Sequence, residues 1–431
     1  MTETIKIHGI GLPSQTHTLI TGAPGQGKTR SLLRPLLREY LSRGANRTET
    51  KVGLLLMDPK GDMLDWVRDL LRSLGREEDL IVIGEGQHGF NLFSSLPLSP
   101  MHYASRLSAL ANSLSRVAQI RQDNEYWVHQ QRQILEALIH VAQIQHPDEP
   151  VRIADIVSLR FQLLPKLRIS FEKIGFKFPL EEMGEGTRAL KDFSNLPNDT
   201  RECVLSTVAN CLSVFHQPPL AELMNPPPDK NVDLTRIVEE GKCVVVSCAT
   251  RSFGNATLPL LQAVKEAFAD IVLCRSEIEV DRGKGFQKIN PDREVLYVAD
   301  EAHQILSSGN DGGELDFLDT CREFKCRAIL ATQSITSLQS VMGIIPANRL
   351  VSLFGNHVFL NSIDPATGEW ADRMFRVGGD QSLPPPLLVP RFHRSESIDW
   401  EGPQTLGKLQ IGEFLLRTRE GKVYRKKARL S

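Results

Sequence analysis

THTLITGAPGQGKTRSLLRPLLREYL, residues 16–41, decides the fold. A short apolar run leads into a glycine-rich turn, and a helical stretch follows. Within it Gly22, Ala23, Pro24, Gly25, Gln26, Gly27, Lys28 and Thr29 fit G-x-x-x-x-G-K-[ST]. Glycines let the backbone wrap phosphates with its amides pointing inward. Lys28 would reach the β- and γ-phosphates and the Thr29 hydroxyl would hold Mg2+, while the N-terminus of the following helix adds positive potential. The flanking strand and helix are the context this Walker A motif requires. The expected ligands are therefore ATP and Mg2+, with Gly22 to Arg30 contacting the nucleotide.

Other short apolar runs have the same texture. KVGLLLMD (51–58), DLIVIGEG (79–86), GKCVVVSC (241–248), EVLYVAD (294–300), RAILATQ (327–333) and GNHVFLN (355–361) read as strands buried on both faces. A helix is expected over about 257–275, and a C-terminal hairpin turns near Glu420 and Gly421. Between about Pro100 and Asp229 the strand signals stop. Tyr103, Leu107, Leu110, Leu114 and Val117 mark one helix face; Ile134, Leu138 and Val141 repeat the pattern, as do Val204, Val208 and Leu212. The expectation is an α/β P-loop domain with a mainly parallel sheet, interrupted by an all-helical insert. Its first part spans 1–100, the insert 101–235 and its second part 236–431.

A P-loop needs an acid for the metal and a base for water. The run 295–299 ends in Asp300 and Glu301. Asp300 would hold Mg2+ and Glu301 would polarise the lytic water, as a Walker B. The letters DEAH at 300–303 also name a helicase family. Roughly 270 residues separate Lys28 from Asp300, and too little chain follows for a second motor domain. The match is read as convergence, with Ala302 and His303 incidental. Gln333, ending the next strand, would sense the γ-phosphate between the two Walker motifs; a polar strand end is the plainer alternative. Arg322, placed on the helix leading into that strand, would reach a neighbouring copy's site, or is simply a solvated arginine.

Composition bounds the rest. With 51 basic and 52 acidic side chains, the total charge names no polyanion partner. Basic residues nevertheless cluster. Arg30, Arg34, Arg38 and Arg43 follow the P-loop, and Arg417, Arg419, Lys422, Arg425, Lys426, Lys427 and Arg429 crowd the tail. They would bind DNA phosphates, or form a solvated face or subunit contacts. The loop 307–313 would move and face a channel, or merely flex. Seven cysteines without CxxC pairs imply neither a zinc site nor a disulfide framework. No run of about eighteen apolar residues occurs, and MTETIKIHGIGLPSQ lacks an apolar signal core.

Taken in order, Walker A, MDPKGD (57–62), FNLFSSL (90–96), NEYWVHQQRQILEALI (124–139), KCVVVSC, VADEAH, REFKCRAILATQS and NHVFLNSIDPATGEWADRMF resemble the coupling ATPases of conjugative type IV secretion. These are TraG/TraD-like members of the FtsK–HerA superfamily, and the resemblance runs from about residue 15 to the C-terminus. It implies a RecA-like fold, hexameric rings and DNA, single- or double-stranded, moved through a central channel. It also implies a relaxase or other nucleoprotein substrate and a membrane-bound secretion partner. Catalytic roles fall on Lys28, Glu301, Gln333 and Arg322, the last as a trans arginine; Asp58 and Lys60 lie in the family's DPKG motif. Family members carry transmembrane helices before Walker A. The roughly twenty polar residues before Gly22 suggest instead a cytoplasmic chain, recruited to the inner membrane by a partner. The alternatives are a secretion ATPase that delivers protein, and an ATP-switched adaptor with little turnover.

Overall fold

The computed structural model describes residues 4–13, 15–94, 99–117, 125–163, 185–248, 257–277, 279–281, 286–306, 313–375 and 400–428. They fall into two compact units. One comprises Met1–Ile81, Arg236–Ser247 and Val272–Ser431; the other comprises Val82–Thr235 and Cys248–Ile271.

The first unit opens with a hairpin, β1 (Thr4–Ile7) and β2 (Ile10–Pro13), turning at His8 and Gly9, both with positive φ. The strands β3 (Thr18–Thr21), β4 (Gly53–Asp58), β5 (Leu80–Ile83) and β6 (Cys243–Ser247) follow. A second small hairpin pairs β7 (Glu279–Asp281) with β8 (Phe286–Lys288). Next come β9 (Val295–Ala299), β10 (Cys326–Thr332) and β11 (Asn356–Phe359), then β12 (Glu413–Arg417) and β13 (Val423–Lys427). The nine-stranded sheet runs β13-β12-β11-β3-β10-β9-β4-β6-β5. From β11 to β6 neighbouring strands are parallel, whereas β12 and β13 run antiparallel as the expected hairpin.

The parallel core explains the apolar runs. Every residue of β3, β4, β9, β10 and β11 is buried, as parallel strands covered on both faces must be. On the outer strand β13, Arg425 and Lys427 are exposed. Register aligns the strand ends: Met57 lies opposite Ala299, Ala299 opposite Leu330, and Thr332 opposite Thr21. The loops after β3, β4, β9 and β10 therefore leave the sheet from one edge, where ligands of open parallel sheets bind.

The stretch after the P-loop is not one regular helix. Lys28–Leu33 forms a π-turn, and the α-helix Arg34–Ser42 follows. Pro35 has no N–H to return to Ser31, so the first turn widens before α-geometry begins. Helix Leu258–Leu273 matches the expected 257–275 closely.

At the opposite edge of this unit, buried arginines tie chain segments together. Arg293, 3% exposed, donates from Nε to Val238 O (2.7 Å), from Nη1 to Lys51 O (2.6 Å), and from Nη2 to Thr48 O (2.7 Å) and Glu239 O (2.9 Å). Arg76 pairs with Asp79 (2.8 Å) and donates to the carbonyls of Leu41, Val52 and Gly241. Burial lowers the Arg293 pKa, and its four carbonyl acceptors compensate the buried charge.

The second unit is helical. Its helices include Pro100–Val117, Glu125–Gln145, Ile153–Leu163, Glu185–Ser194 and Asn198–Ser213. Tyr103, Leu107, Leu110, Ile134, Leu138, Val141, Val204, Val208 and Leu212 are all buried, as their spacing predicts. The side chains of Leu114 and Val117 lie outside the described residues, as do residues 307–312 of the glycine-rich loop and Arg429. Among the described residues no helix is long and apolar enough to cross a membrane.

Arg293→Met would keep the bulk and remove the donors, stranding four carbonyls. It should cost at least about 2 kcal/mol of stability, read as a lower urea midpoint. An unchanged midpoint would mean that water replaces the guanidinium.

Candidate functional site

The loop from Gly22 to Thr29 is rooted on two neighbouring strands. Gly22 N donates to Thr332 O at 3.2 Å, and Ala23 N to Asn361 O at 2.9 Å. Gln26 O accepts from Gly412 N at 3.2 Å. Pro24, Gly25 and Arg30 are exposed, while Ala23, Gln26, Gly27 and Thr29 are half-buried. Gly27 has φ +93, and a Cβ there would stand 2.7 Å from Ser31 Oγ. Only glycine fits that left-handed, crowded position.

Lys28 is 5% exposed, and its Nζ donates to Gly22 O (2.8 Å) and Ala23 O (3.3 Å). Burial lowers its pKa, against the charges of Glu301 and Asp300. Thr29 Oγ1 donates to Asp300 Oδ2 at 2.7 Å, joining the two motifs across 271 residues. Asp300 is held at the sheet edge by its N–H on Met57 O (3.2 Å). Burial raises its pKa despite the Thr29 hydrogen bond.

Glu301 is 2% exposed and stands in the left-handed region, φ 50 and ψ 49. Its Oε1 is ion-paired with Lys60. Its Oε2 is buried without a hydrogen bond, and His303 Nδ1 stands 3.6 Å away. Burial alone would raise its pKa; the Lys60 hydrogen bond and the Lys28 charge outweigh burial and lower it. His303 is therefore not incidental to the geometry, because it also lies 3.4 Å from Thr332 Oγ1. Burial lowers its pKa in turn.

Gln333 is half-buried directly after Thr332, just past the end of β10, the strand between β3 and β9. Arg322 is elsewhere. It lies in the turn after helix Glu314–Thr320, not on a helix, and its carbonyl accepts from Arg327 Nη1 at 3.0 Å. The whole of β10 separates it from its own P-loop edge, about 20 Å at strand rise. The basic clusters are partly engaged already. Arg34 lies 5.4 Å over Trp66, Arg43 pairs with Glu294, Arg425 with Glu413, and Lys422 with Glu420.

These groups fit a polyphosphate with a hard divalent cation. Ser31 Oγ and Glu301 Oε2 are buried and lack hydrogen-bond partners. Thr29 and Asp300 offer adjacent oxygens. Among the described residues no three His, Cys, Asp or Glu side chains gather as a self-sufficient metal cage. Mg2+ commonly takes only one or two protein oxygens and completes its shell with phosphate and water.

Residues 234–383, which hold Asp300, Glu301, Arg322 and Gln333, match the family model of the type IV secretion-system coupling protein DNA-binding domain. This stretch is similar to the DNA-binding domain of coupling proteins. Comparison with curated protein sequences returned no significant match. Among solved structures, the bacterial conjugative coupling protein TrwBdeltaN70 in its unbound form is 18% identical with a TM-score of 0.65, covering 100% of this chain and 90% of that one. TrwB in complex with ADP and Mg2+ gives 18% and 0.66, covering 100% and 89%. VirB4 of Thermoanaerobacter pseudethanolicus gives 14% and 0.55, covering 96% and 89%. At these identities the likeness is one of fold. It bears out the α/β P-loop architecture with a helical insert, while the match to the coupling-protein domain bears out the resemblance read from motif order.

Gly27→Ala should leave the fold intact and weaken nucleotide binding at least about tenfold, since the loop must reshape to relieve strain at positive φ. Titration with a fluorescent ATP analogue checks this; wild-type affinity would show that the loop tolerates a Cβ.

Proposed function

We propose that this chain is an ATP-hydrolysing motor subunit of the conjugative coupling type that moves DNA or nucleoprotein. The observation that carries this reading is the Thr29–Asp300 hydrogen bond, with Glu301 next in sequence. It joins a phosphate-binding loop to an acid and a buried base at one edge of a parallel sheet.

In this reading the backbone amides of Gly22 to Thr29 and the Lys28 ammonium hold the phosphates, with Arg30 at the rim. Lys28 must then exchange the carbonyls of Gly22 and Ala23 for phosphate oxygens. Thr29 and Asp300 hold Mg2+, which when bound stabilises charge developing on the phosphoryl oxygens. Glu301 takes a proton from the attacking water through the oxygen that lacks a partner. Gln333, placed between the two motifs, reports the γ-phosphate along β10. Arg322 has no path to its own P-loop edge, so its catalytic role is in a neighbouring copy's site within a homo-oligomer, expected to be a hexamer. The DNA substrate rests on the match to the coupling-protein domain and on the basic residues that remain exposed, Arg38 and Arg419 among them.

Steady-state ATP hydrolysis with and without single- or double-stranded DNA, at two salt concentrations, tests the reading. Stimulation that fades with salt is expected. Turnover indifferent to DNA would favour a protein-delivering motor, and negligible turnover a recruiting adaptor. Glu301→Gln should keep ATP binding and lower kcat by about 100-fold or more. Arg322→Ala should lose turnover and recover part of it when mixed with Lys28→Ala subunits; no recovery in verified mixed assemblies would remove the trans arginine.

A further inference from the structure

The DPKG segment, Asp58 to Gly61, contributes nothing to the reading above, yet its lysine touches the central carboxylate. Resting on the reading of Glu301 as the water-activating group, we propose that Lys60 is a positioning residue for hydrolysis, anchoring one oxygen of Glu301 so that the other is presented to water.

The turn is built to aim this side chain. Asp58 ends β4 fully buried, and its carboxylate accepts from Gly61 N (3.0 Å) and Met63 N (2.8 Å). Asp58 O accepts from Gly61 N as well, at 3.2 Å. Gly61 takes φ +75, which closes the turn. Asp58 thus folds the loop, Gly61 permits the fold, and Lys60 is left pointing at Glu301. The base of the turn is fixed to the Walker B strand through Asp300 N on Met57 O.

The other charged groups around Glu301 have separate engagements. Lys28 donates to Gly22 and Ala23, Asp300 is bonded to Thr29, Asp58 is satisfied by backbone amides, and His303 stands at 3.6 Å from the opposite oxygen. Lys60 makes the hydrogen bond that holds Oε1. A carboxylate 2% exposed needs a partner charge, and Lys60, 33% exposed, brings one on a stem reaching in from solvent. With Glu301 fixed by left-handed backbone at one end and by Lys60 at the other, its free oxygen has one direction to face.

Lys60→Met removes the charge and keeps the stem. Its kcat should fall at least about tenfold while KM, ATP-analogue affinity and thermal midpoint stay within about twofold or unchanged, and Lys60→Arg should recover much of the loss. Glu301→Gln run in parallel separates the two ideas. If it abolishes turnover while Lys60→Met keeps or raises kcat, the positioning role is overturned and the base stands. If Glu301→Gln keeps turnover, the base assignment itself has failed. A Lys60→Met variant that loses nucleotide binding as much as turnover would also overturn the proposal.

Discussion

The register of β9 between β4 and β10 is the constraint on which the rest depends. Met57, Ala299 and Leu330 lie in one row across three strands. Side chains alternate faces along a strand, so a slip of one residue would turn Asp300 away from Thr29 and carry Glu301 away from Lys60. Within each of these two pairs the partners are far apart in sequence, by 271 and 241 residues. The hydrophobic core specifies the row, and the row assembles the polar site.

The two edges of this sheet treat polar groups differently. At one edge, Arg76 and Arg293 donate to several backbone carbonyls each, and the segments they join become fixed. At the other, Ser31 Oγ and Glu301 Oε2 are buried without hydrogen bonds. Buried polar atoms normally find partners, and leaving one unmet is costly. The adjacent acids also differ: burial lifts Asp300, while the lysines hold Glu301 down. Neighbouring carboxyl groups in opposed environments do not share one protonation behaviour.

Much of this was legible in the sequence because the signals were local. The strand runs, the hairpin at Glu420 and Gly421 and the helix near 257–275 each follow from periodicity or turn chemistry within a short window. Gly22 to Thr29 is read by spacing, and the acids by their place at a strand end. What escaped was set at long range. Lys60 and Glu301 are 241 residues apart, and no window contains both. His303 looked incidental beside the acids because only the fold turns it toward Thr332 and Glu301. Arg322 sits in a turn because helix Glu314–Thr320 stops two residues earlier. The β1–β2 hairpin did have a local signal: Ile5, Ile7, Ile10 and Leu12 alternate about His8 and Gly9. It was hidden by the polar residues around it.

An open sheet offers unpaired N–H and C=O groups along its outer strand, and these are a template on which foreign strands can grow. At β13 that template carries Arg425 and Lys427 facing water, with Lys426 between them. Closely spaced positive charges on an edge strand repel a like edge and discourage sheet-to-sheet fusion. Along β13, contacts through side chains are therefore favoured over a continued ladder. Such contacts can break and re-form without unzipping the core.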